Sequence, residues 1–560
     1  MKLTPYHIKK GVRYLRNFGV REFVIRLMEK GEPKSITYEQ YRRTQRLTKK
    51  EFAEQRTGSG HWKNPPLITC IFLEEELSEQ RRSACARKLQ QQSYTNWELV
   101  LAKNISEGIG QAKGTYFVFV ESGDSLAPQA LYEIARGICN PQKLRQSGMH
   151  WKKCEGKPDV IYTDEDCAGS EGLFKPDYDP EWLAQDCYIR HLCCIRTELA
   201  LKHVGSGLSP EKLIAACAAD TIPEKILHIP KVLYHAQKPY ILHMTGESEK
   251  SEPGLKDRPL ISIIIPNRDE CDTLKRCLDA VEKSSYSDYE VIVVENGSTQ
   301  KELFDYYARL AAQNPQVKIV TWEGNGSFNY SAINNYGVSF AKGSYLVFLN
   351  NDVEILTQNW LECMLLQCRK DDVAACGVRL YYPDDTIQHA GIVVAIGGHA
   401  RGVAANMCVG LPQDAMGYMG RIQRRQSMSA VTAACMMMRR DVFETIGGFT
   451  EELAVAFNDV DLCLKARRQG YRIVYEPAVE AYHYESKSRG QEDTGEKVRR
   501  FQEEIEYMRR TWNEIMREGD PYYNPNLTRY RSDYSLGASA RGFRRSKRIG
   551  LNQGEFITVE

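Results

Sequence analysis

A repeated strand pattern constrains the fold of this chain more than any other feature of its sequence. Each copy begins with a short apolar strand that follows a proline, at 66–72 and again at 259–266. In each copy a second apolar strand follows, and a Lys-Gly turn then leads into an aromatic-rich strand at 113–120 or 342–349. Alternating strands and helices with continuously apolar strands are typical of parallel sheets covered on both faces. The chain is therefore predicted to contain two tandem α/β units that arose by internal duplication.

Length and composition agree with this organisation. At 560 residues the chain is too long for one core, because domains usually contain roughly 100–200 residues. A formal charge of +2 gives no reason to expect nucleic acid or another polyanion as a partner. The 17 cysteines are scattered without a CxxC pair, so we expect reduced, buried thiols rather than zinc ligands.

The pattern divides the chain into four predicted segments. Residues 1–60 form a basic helical extension, and residues 61–245 form the first α/β unit. A linker rich in Ser, Glu, Lys and Gly precedes the second unit, 258–495. Residues 496–560 are predicted to form a helix followed by a basic tail whose charges are solvated rather than bound to nucleic acid.

The predicted location is cytoplasmic. No apolar run approaches the roughly 18–20 residues that cross a bilayer, and the N-terminus does not open into a secretory signal. The basic N-terminal helix has two interpretations, namely peripheral contact with an anionic membrane at its inner face and packing on the protein itself.

Residues that can contact a ligand follow three strands of the second unit. Open α/β sheets bind ligands beyond the carboxyl ends of their strands. Any single strand end collects Asn, Asp and Gly, so each of these segments is a weak signal, whereas their order together is a strong one. The candidate nucleotide-binding residues are Pro266, Asn267, Arg268, Asp269, Glu295, Asn296, Asn350 and Asn351.

A divalent cation is expected beside these residues. Asp352 ends the third strand and offers the hard oxygen that Mg²⁺ or Mn²⁺ prefers when it neutralises phosphates. His483 could complete the coordination, which would favour Mn²⁺ because imidazole is a softer donor. A lone histidine is more often structural, so this role depends on the presence of Asp352. Asp459 and Asp461 begin an amphipathic helix, where Asp459 could also serve as an N-cap.

The order of these motifs resembles the family 2 glycosyltransferases, which have the GT-A fold. The segments that carry the resemblance are 264–269, 294–298, 348–352, 430–435 and 457–464. Two further segments, 387–391 and 482–486, are similar to the bacterial branch that builds rhamnose-containing and O-antigen-like surface polysaccharides. The resemblance covers residues 260–526.

The resemblance implies a role for each matching residue. Asp352 matches the metal-binding member of the DxD-type motif, with Asn350 in place of the first Asp, and His483 matches a further metal ligand. Asp459 matches the catalytic base, which removes the acceptor's proton as its hydroxyl attacks the anomeric carbon opposite the diphosphate and inverts its configuration. Asn296 replaces a common Asp, which leaves the nucleobase open between uracil and thymine.

Residues 65–235 resemble the same family but carry fewer of its polar residues. The first strand ends in Glu74 and Glu75 and the second in Lys103 and Asn104, where complete relatives have a Pro-polar turn and paired acids. The segment 121–124 alone survives at the metal position, and the later region 207–220 is expected to lack the acidic helix start that carries the base. We interpret this unit as a degenerate, inactive copy, left with a role in glycan binding or dimer formation.

The expected fold is thus α/β, with two tandem GT-A-like units built on Rossmann-like, mostly parallel sheets. The expected function is inverting, metal-dependent transfer from a UDP- or dTDP-linked sugar, with dTDP-rhamnose one candidate, in cell-surface polysaccharide biosynthesis. The expected partners are this donor and a glycan acceptor, either free or lipid-linked, with a homodimer as a further hypothesis. The alternative is a non-catalytic glycan-binding or scaffold protein. Asp352, Asp459 and His483 argue against that alternative, since a binding module needs no base.

Overall fold

The computed structural model describes Leu15 and residues 35–74, 78–140, 156–167, 171–205, 208–238, 257–324, 328–397, 402–484 and 495–537. Leu15 apart, the predicted basic helix before residue 35 lies outside the described residues, as does the basic tail after residue 537. In the described part of the chain, no helix is both long and apolar enough to span a bilayer. The described cysteines are free thiols, and most of them are buried.

Of the described residues, the first unit contains those within Lys34–Met244, Asp520–Thr528 and Tyr534–Glu560. Its helices are α1 (Tyr38–Gln45), α2 (Lys49–Gly58), α3 (Glu79–Gln90), α4 (Ile105–Gln111), α5 (Ala130–Cys139), α6 (Pro180–Gln185), α7 (Thr197–Leu201) and α8 (Pro210–Ala219). Its strands are β1 (Ile68–Leu73), β2 (Trp97–Ala102), β3 (Tyr116–Val120), β4 (Ser125–Leu126), β5 (Val160–Cys167), β6 (Cys194–Arg196) and β7 (Ile226–Ala236).

The second unit contains the described residues within Met1–Pro33, Thr245–Gly519 and Arg529–Asp533. Its helices are α9 (Cys271–Val281), α10 (Lys301–Gln313), α11 (Tyr330–Val338), α12 (Trp360–Cys368), α13 (Arg440–Thr445), α14 (Asn458–Arg468), α15 (Gly495–Thr511) and α16 (Asn513–Glu518). Its strands are β8 (Ile261–Asn267), β9 (Tyr289–Glu295), β10 (Val317–Thr321), β11 (Tyr345–Leu349), β12 (Val353–Ile355), β13 (Val373–Tyr381), β14 (Ile387–His389), β15 (Ile392–Val394), β16 (Ala404–Asn406), β17 (Gln426–Met428), β18 (Cys435–Arg439) and β19 (Arg472–His483).

The main sheets of the two units share one strand order. The first is β2-β1-β3-β6-β5-β7-β4, and the second is β10-β9-β8-β11-β18-β13-β19-β12, with β14 and β17 paired off this path. When β10 is left out, the two orders correspond strand for strand. Each pair of neighbouring strands in one sheet has the same pairing, parallel or antiparallel, as the corresponding pair in the other. The predicted α/β fold of two tandem related units is therefore confirmed.

The sheets are mixed, because parallel pairing is confined to part of each. Strands β6 and β18 run antiparallel to both of their neighbours. Strand β18 is apolar and almost wholly buried, and an apolar run indicates burial without indicating direction. The sequence pattern therefore predicted the positions of the strands better than whether neighbouring strands run parallel or antiparallel.

The Lys-Gly turn makes the same hydrogen bonds in both units. The amide of Gly114 donates to Thr69 Oγ1 at 3.0 Å, and that of Gly343 donates to Ser262 Oγ at 2.8 Å. A Cβ on Gly343 would lie 2.6 Å from a backbone oxygen of Leu260. This close approach explains why both copies carry glycine before the third strand.

The first unit is shorter than the second after its second strand. In the second unit α10 and β10 lie between β9 and α11, whereas in the first unit Lys103 and Asn104 connect β2 directly to α4. Helices α4 and α11 correspond, because a Cβ on Gly108 or Gly337 would lie 2.6 Å from the Cγ2 of an isoleucine in the first strand of its unit. The sheet of the first unit therefore ends at β2, where that of the second unit continues to β10.

A buried polar network attaches the segment Asp520–Thr528 to the first unit. Asn524 Nδ2 donates to Asp164 Oδ2 at 2.9 Å. His228 lies between two carboxylates, with Nε2 3.0 Å from Asp164 Oδ1 and Nδ1 3.1 Å from Asp177 Oδ1. Burial by itself lowers the pKa of His228, but the two aspartates outweigh it and raise the pKa to about 9. His228 is therefore an imidazolium at neutral pH.

The stability of the first unit should consequently depend on pH. A group whose pKa is raised on folding stabilises the protein fully below its unfolded pKa, here the ordinary 6.5, and this contribution is lost as pH rises through about 9. We expect the thermal midpoint to fall between pH 6.5 and pH 9 in the wild type and to fall less in His228→Gln. Melting curves recorded across this range test the prediction, and equal slopes in the two proteins would contradict it.

Candidate active site

The ends of β8 and β9 form one hydrogen-bonded edge. Asn267 Nδ2 donates to Tyr307 Oη at 2.8 Å, and Tyr307 Oη donates to Glu295 Oε2 at 2.8 Å. Ser298 Oγ also donates to Glu295 Oε2, at 2.7 Å, and Asn351 Nδ2 donates to Asn267 Oδ1 at 2.6 Å. Three predicted site residues, Asn267, Glu295 and Asn351, are thus brought together and fix one another. Tyr307 was missed because it lies in a helix rather than at a strand end.

A tight loop beyond β8 presents Arg268 and Asp269. Asp269 adopts a left-handed φ of 55°, and its amide donates to Ser298 Oγ at 2.8 Å. Asp269 Oδ1 accepts from the amide of Thr299 at 2.6 Å and from that of Gln300 at 3.1 Å. These hydrogen bonds, with Thr299 the largest cause, lower the pKa of Asp269. Arg268 is exposed, and the remaining candidates Pro266 and Asn296 are half-buried.

The two predicted metal ligands lie side by side. In the antiparallel pairing of β12 with β19, Val353 is opposite His483, which places the neighbouring Asp352 beside that histidine. His483 Nε2 lies 3.2 Å from Asp352 Oδ1, and Asn350 Nδ2 approaches the same nitrogen at 3.3 Å. Two ligands at right angles on one ion, each about 2.1 Å from it, are about 3 Å apart. The spacing of Asp352 and His483 therefore suits one divalent cation.

Gln388 determines which nitrogen of His483 faces Asp352. Gln388 is buried. His483 Nδ1 donates to Gln388 Oε1 at 2.7 Å, and Gln388 Nε2 donates to the carbonyl of His483 at 3.2 Å. Because an amide oxygen only accepts, Nδ1 carries a proton, and in the neutral ring Nε2 keeps its lone pair for a metal. The carboxylate and this imidazole fit a borderline cation such as Mn²⁺. The sequence motif contained Gln388 but gave it no role.

Asp459 lies in the first turn of α14, where it is half-buried. Its Oδ1 accepts from the amide of Val460 at 2.8 Å, and its Oδ2 accepts from that of Ala433 at 3.3 Å. Burial raises the pKa of Asp459, and these backbone hydrogen bonds offset only part of that effect. A carboxylate with a raised pKa is a stronger base. The interpretation of Asp459 as the N-cap is wrong, because Phe457 occupies that position.

Asp461 has a structural role instead. It is 0% exposed. Its Oδ2 accepts from Thr450 Oγ1 at 2.7 Å, and its Oδ1 accepts from Trp512 Nε1 at 2.8 Å. Lys465 Nζ lies 3.5 Å away. These contacts attach α14 to the segment before α16, and full burial keeps Asp461 from reaching an acceptor hydroxyl.

Helix α15 supports the turn that carries Asp459. Phe457 has a left-handed φ of 62°, and its ring stacks on that of Phe501 with centroids 5.6 Å apart. The amide of Val455 donates to the buried Glu504 Oε1 at 2.8 Å. A left-handed phenylalanine is strained, so its conformation depends on such contacts.

Truncation of this support should lower turnover without removing donor binding. We expect Phe501→Ala to reduce the rate of sugar transfer by about tenfold, because a small displacement of a catalytic group is costly. Phe501→Tyr, which keeps the stacked ring, should restore most of the rate. Kinetics and melting curves of both variants test this, and a normal rate in folded Phe501→Ala would contradict it.

The first unit keeps part of this arrangement. The amide of Asp124 donates to the carbonyl of Glu121 as that of Val353 donates to the carbonyl of Asn350, so Asp124 corresponds to Val353 and Gly123 stands where the second unit has Asp352. Ala236 stands where the second unit has His483, and the adjacent His235 pairs through Nδ1 with Asp166 Oδ1 at 2.6 Å. The expectation that this unit lacks an acidic helix start is wrong. Glu211 is the second residue of α8, as Asp459 is of α14, and the boundary of α8 was not predicted.

The second unit matches a known protein family. Residues 262–447 match the family described as glycosyl transferase family 2. This match lies wholly within the second unit. The predicted resemblance to this family is thereby confirmed. The matched residues include Asp352 and also Ala433, whose amide contacts Asp459.

Two curated relatives match most of this chain. It is 33% identical over 546 residues to the uncharacterized protein y4gI of Sinorhizobium fredii, covering 85% of this chain and 59% of the relative. It is 28% identical over 552 residues to the O-antigen biosynthesis protein RfbC of Myxococcus xanthus, covering 84% and 41%. The chain thus spans about half the length of these relatives. A solved mannosyltransferase from Pyrobaculum calidifontis, in complex with GDP-Man and Mn²⁺, is 18% identical with a TM-score of 0.31 and covers 42% of this chain and 59% of its own.

Proposed function

We propose that the second unit is an inverting, metal-dependent glycosyltransferase that moves a sugar from a nucleoside diphosphate sugar to a glycan acceptor. One observation carries this proposal, namely that the metal motif and the base contact adjacent residues of one loop. The amide of Asn350 donates to the carbonyl of Ala434 at 2.9 Å, and the amide of Ala433 donates to Asp459 at 3.3 Å. One loop therefore contacts both the strand end that leads to the paired carboxylate and imidazole and a carboxylate of raised pKa.

These residues perform distinct parts of a single displacement. Asp352 and His483 would hold a divalent cation, which when bound neutralises the diphosphate that leaves the sugar. Asp459 accepts the proton of the acceptor hydroxyl at a carboxylate oxygen while that hydroxyl attacks the anomeric carbon. One base and one displacement invert the anomeric configuration. Gln388 keeps His483 in the tautomer that can bind metal.

The substrate class is proposed from the chain and from one relative. The name of the Myxococcus xanthus relative concerns O-antigen biosynthesis, which supports a role for this chain in cell-surface polysaccharide assembly. The donor is expected to carry UDP or dTDP, and dTDP-rhamnose is one candidate. A cytoplasmic location, contact with the inner face of the membrane, a lipid-linked acceptor and a homodimer stay predictions.

A donor screen tests the proposal. The purified full chain is incubated with a panel of UDP- and dTDP-linked sugars, with and without Mn²⁺, and release of the nucleoside diphosphate is measured. We expect hydrolysis of a small subset of donors that depends on Mn²⁺. Binding of glycans by a folded protein that hydrolyses none of these donors would favour the alternative of a non-catalytic scaffold.

A further inference from the structure

Three side chains of the types that coordinate metal ions lie close together at the end of the sheet of the first unit. Ligand atoms of Glu121, Asp124 and His191 all lie within 4.8 Å of one another. His191 Nε2 is 3.8 Å from Glu121 Oε1, longer than a hydrogen bond. Ligands about 2.1 Å from a shared octahedral ion are separated by about 3 to 4 Å. The gap between His191 and Glu121 is therefore of the size that an ion would occupy.

Tyr234 contacts all three residues and fixes them in place. Its hydroxyl donates to Asp124 Oδ2 at 2.6 Å and accepts from the amide of Glu121 at 3.2 Å. Its ring stacks on the imidazole of His191, with centroids 4.8 Å apart and an interplanar angle of 8°. One buried residue consequently positions the side chains of Asp124 and His191 and the backbone of Glu121.

A buried carboxylate orients His191. His191 Nδ1 donates to Glu165 Oε1 at 2.9 Å, and the other oxygen of Glu165 pairs with Lys175 Nζ at 2.7 Å. A histidine that binds metal through one nitrogen commonly donates its other N–H to a carboxylate. Nε2 thus faces Glu121 and Asp124, while Lys175 pairs with the carboxylate behind the ring.

We propose that Glu121, Asp124 and His191 bind a divalent cation of the Mn²⁺ type, at a site separate from Asp352 and His483. Two carboxylates and one imidazole suit an ion of intermediate softness. The site is not a copy of that in the second unit, because its histidine precedes β6, whereas His483 lies on β19, and because Asp124 corresponds to Val353 rather than to Asp352. Glu121 is 66% exposed, so positions on the ion remain open to water or to a phosphate group.

Counting bound ions tests this proposal independently of enzyme activity. The full chain carrying Asp352→Ala and His483→Ala is titrated with Mn²⁺ at pH 8, by calorimetry and by the electron paramagnetic resonance signal of free Mn²⁺. We expect one ion per chain. Adding Glu121→Gln, an exposed and nearly isosteric change, should weaken binding about tenfold or more, and adding His191→Ala should abolish it. His235→Ala is the matched control, since that ring pairs with Asp166, and it should leave binding unchanged.

The outcomes separate the two sites. Absence of Mn²⁺ binding in a double variant that melts like the wild type would overturn the proposal, as would undiminished binding after both Glu121→Gln and His191→Ala. If wild type and double variant each bind one ion, and that ion is lost with His191, the site in the first unit stands and the metal site of the second unit is refuted.

Discussion

Replacing Asp459 with Asn will lower the rate of transfer to an acceptor by a factor on the order of 10² to 10⁴, the range typical of a lost general base. Asparagine has nearly the same shape and still offers an oxygen to the amide of Val460, so the turn and donor binding should persist. Steady-state kinetics with a saturating acceptor, together with donor binding, measure the two effects separately. Near-normal turnover would contradict the assignment of the base.

The pH profile gives a second readout of the same residue. A base must be deprotonated, so turnover of the wild type should fall as pH decreases through the raised pKa of Asp459. This acidic limb should disappear in Asp459→Asn. Asp461→Asn is the matched control. It alters a buried carboxylate that accepts from Thr450 and Trp512, and it should lower the melting temperature while leaving the pH profile of the folded enzyme unchanged.

Loss of either metal ligand should remove the dependence of donor binding on divalent cations. Asp352→Ala deletes an oxygen ligand and His483→Ala deletes a nitrogen ligand, so we expect donor affinity in the presence of Mn²⁺ to fall at least about tenfold in each. Gln388→Ala should produce a smaller loss of the same kind, because it frees the imidazole to change tautomer. Fluorescence or calorimetric titration of the donor, with and without Mn²⁺, provides the measurement.

A nearby carboxylate supplies the control for this series. Glu354 lies two residues after Asp352 and accepts from Tyr484 Oη at 2.8 Å, outside the pair formed with His483. Glu354→Gln should retain wild-type dependence on Mn²⁺. Unchanged titrations in both Asp352→Ala and His483→Ala would refute the metal assignment.

Much of the fold could be predicted because local sequence determines it. The apolar runs of β1 and β8 and the glycines of the Lys-Gly turn recur in the same order, and the structure repeats them with the same hydrogen bonds. The direction of β18 could not be predicted, since a buried strand is apolar on both faces whichever way it runs. The position of Glu211 in its helix was missed although Ser209, the N-cap, and Pro210, the first helical residue, mark the start of that helix in the sequence.

The candidate site likewise contains residues that the sequence predicted and residues that it did not. Asp352 and His483 were found because strand ends and a known motif order marked them, and the pairing of β12 with β19 brings them together. Gln388, Phe501 and Tyr234 were missed as supporting residues. Each acts through a contact with a residue at least 40 positions away in the chain, and no local pattern records such packing.

The anomeric configuration of the product is the most direct test of the central claim. Once a donor has been found, the wild-type chain with Mn²⁺ and an acceptor should yield a product whose anomeric centre is inverted relative to the donor, as read from the proton coupling constants of the transferred sugar. The same reaction should fail without Mn²⁺ and with Asp459→Asn. A product of retained configuration, or one formed equally well by Asp459→Asn, would contradict a single displacement that depends on this base.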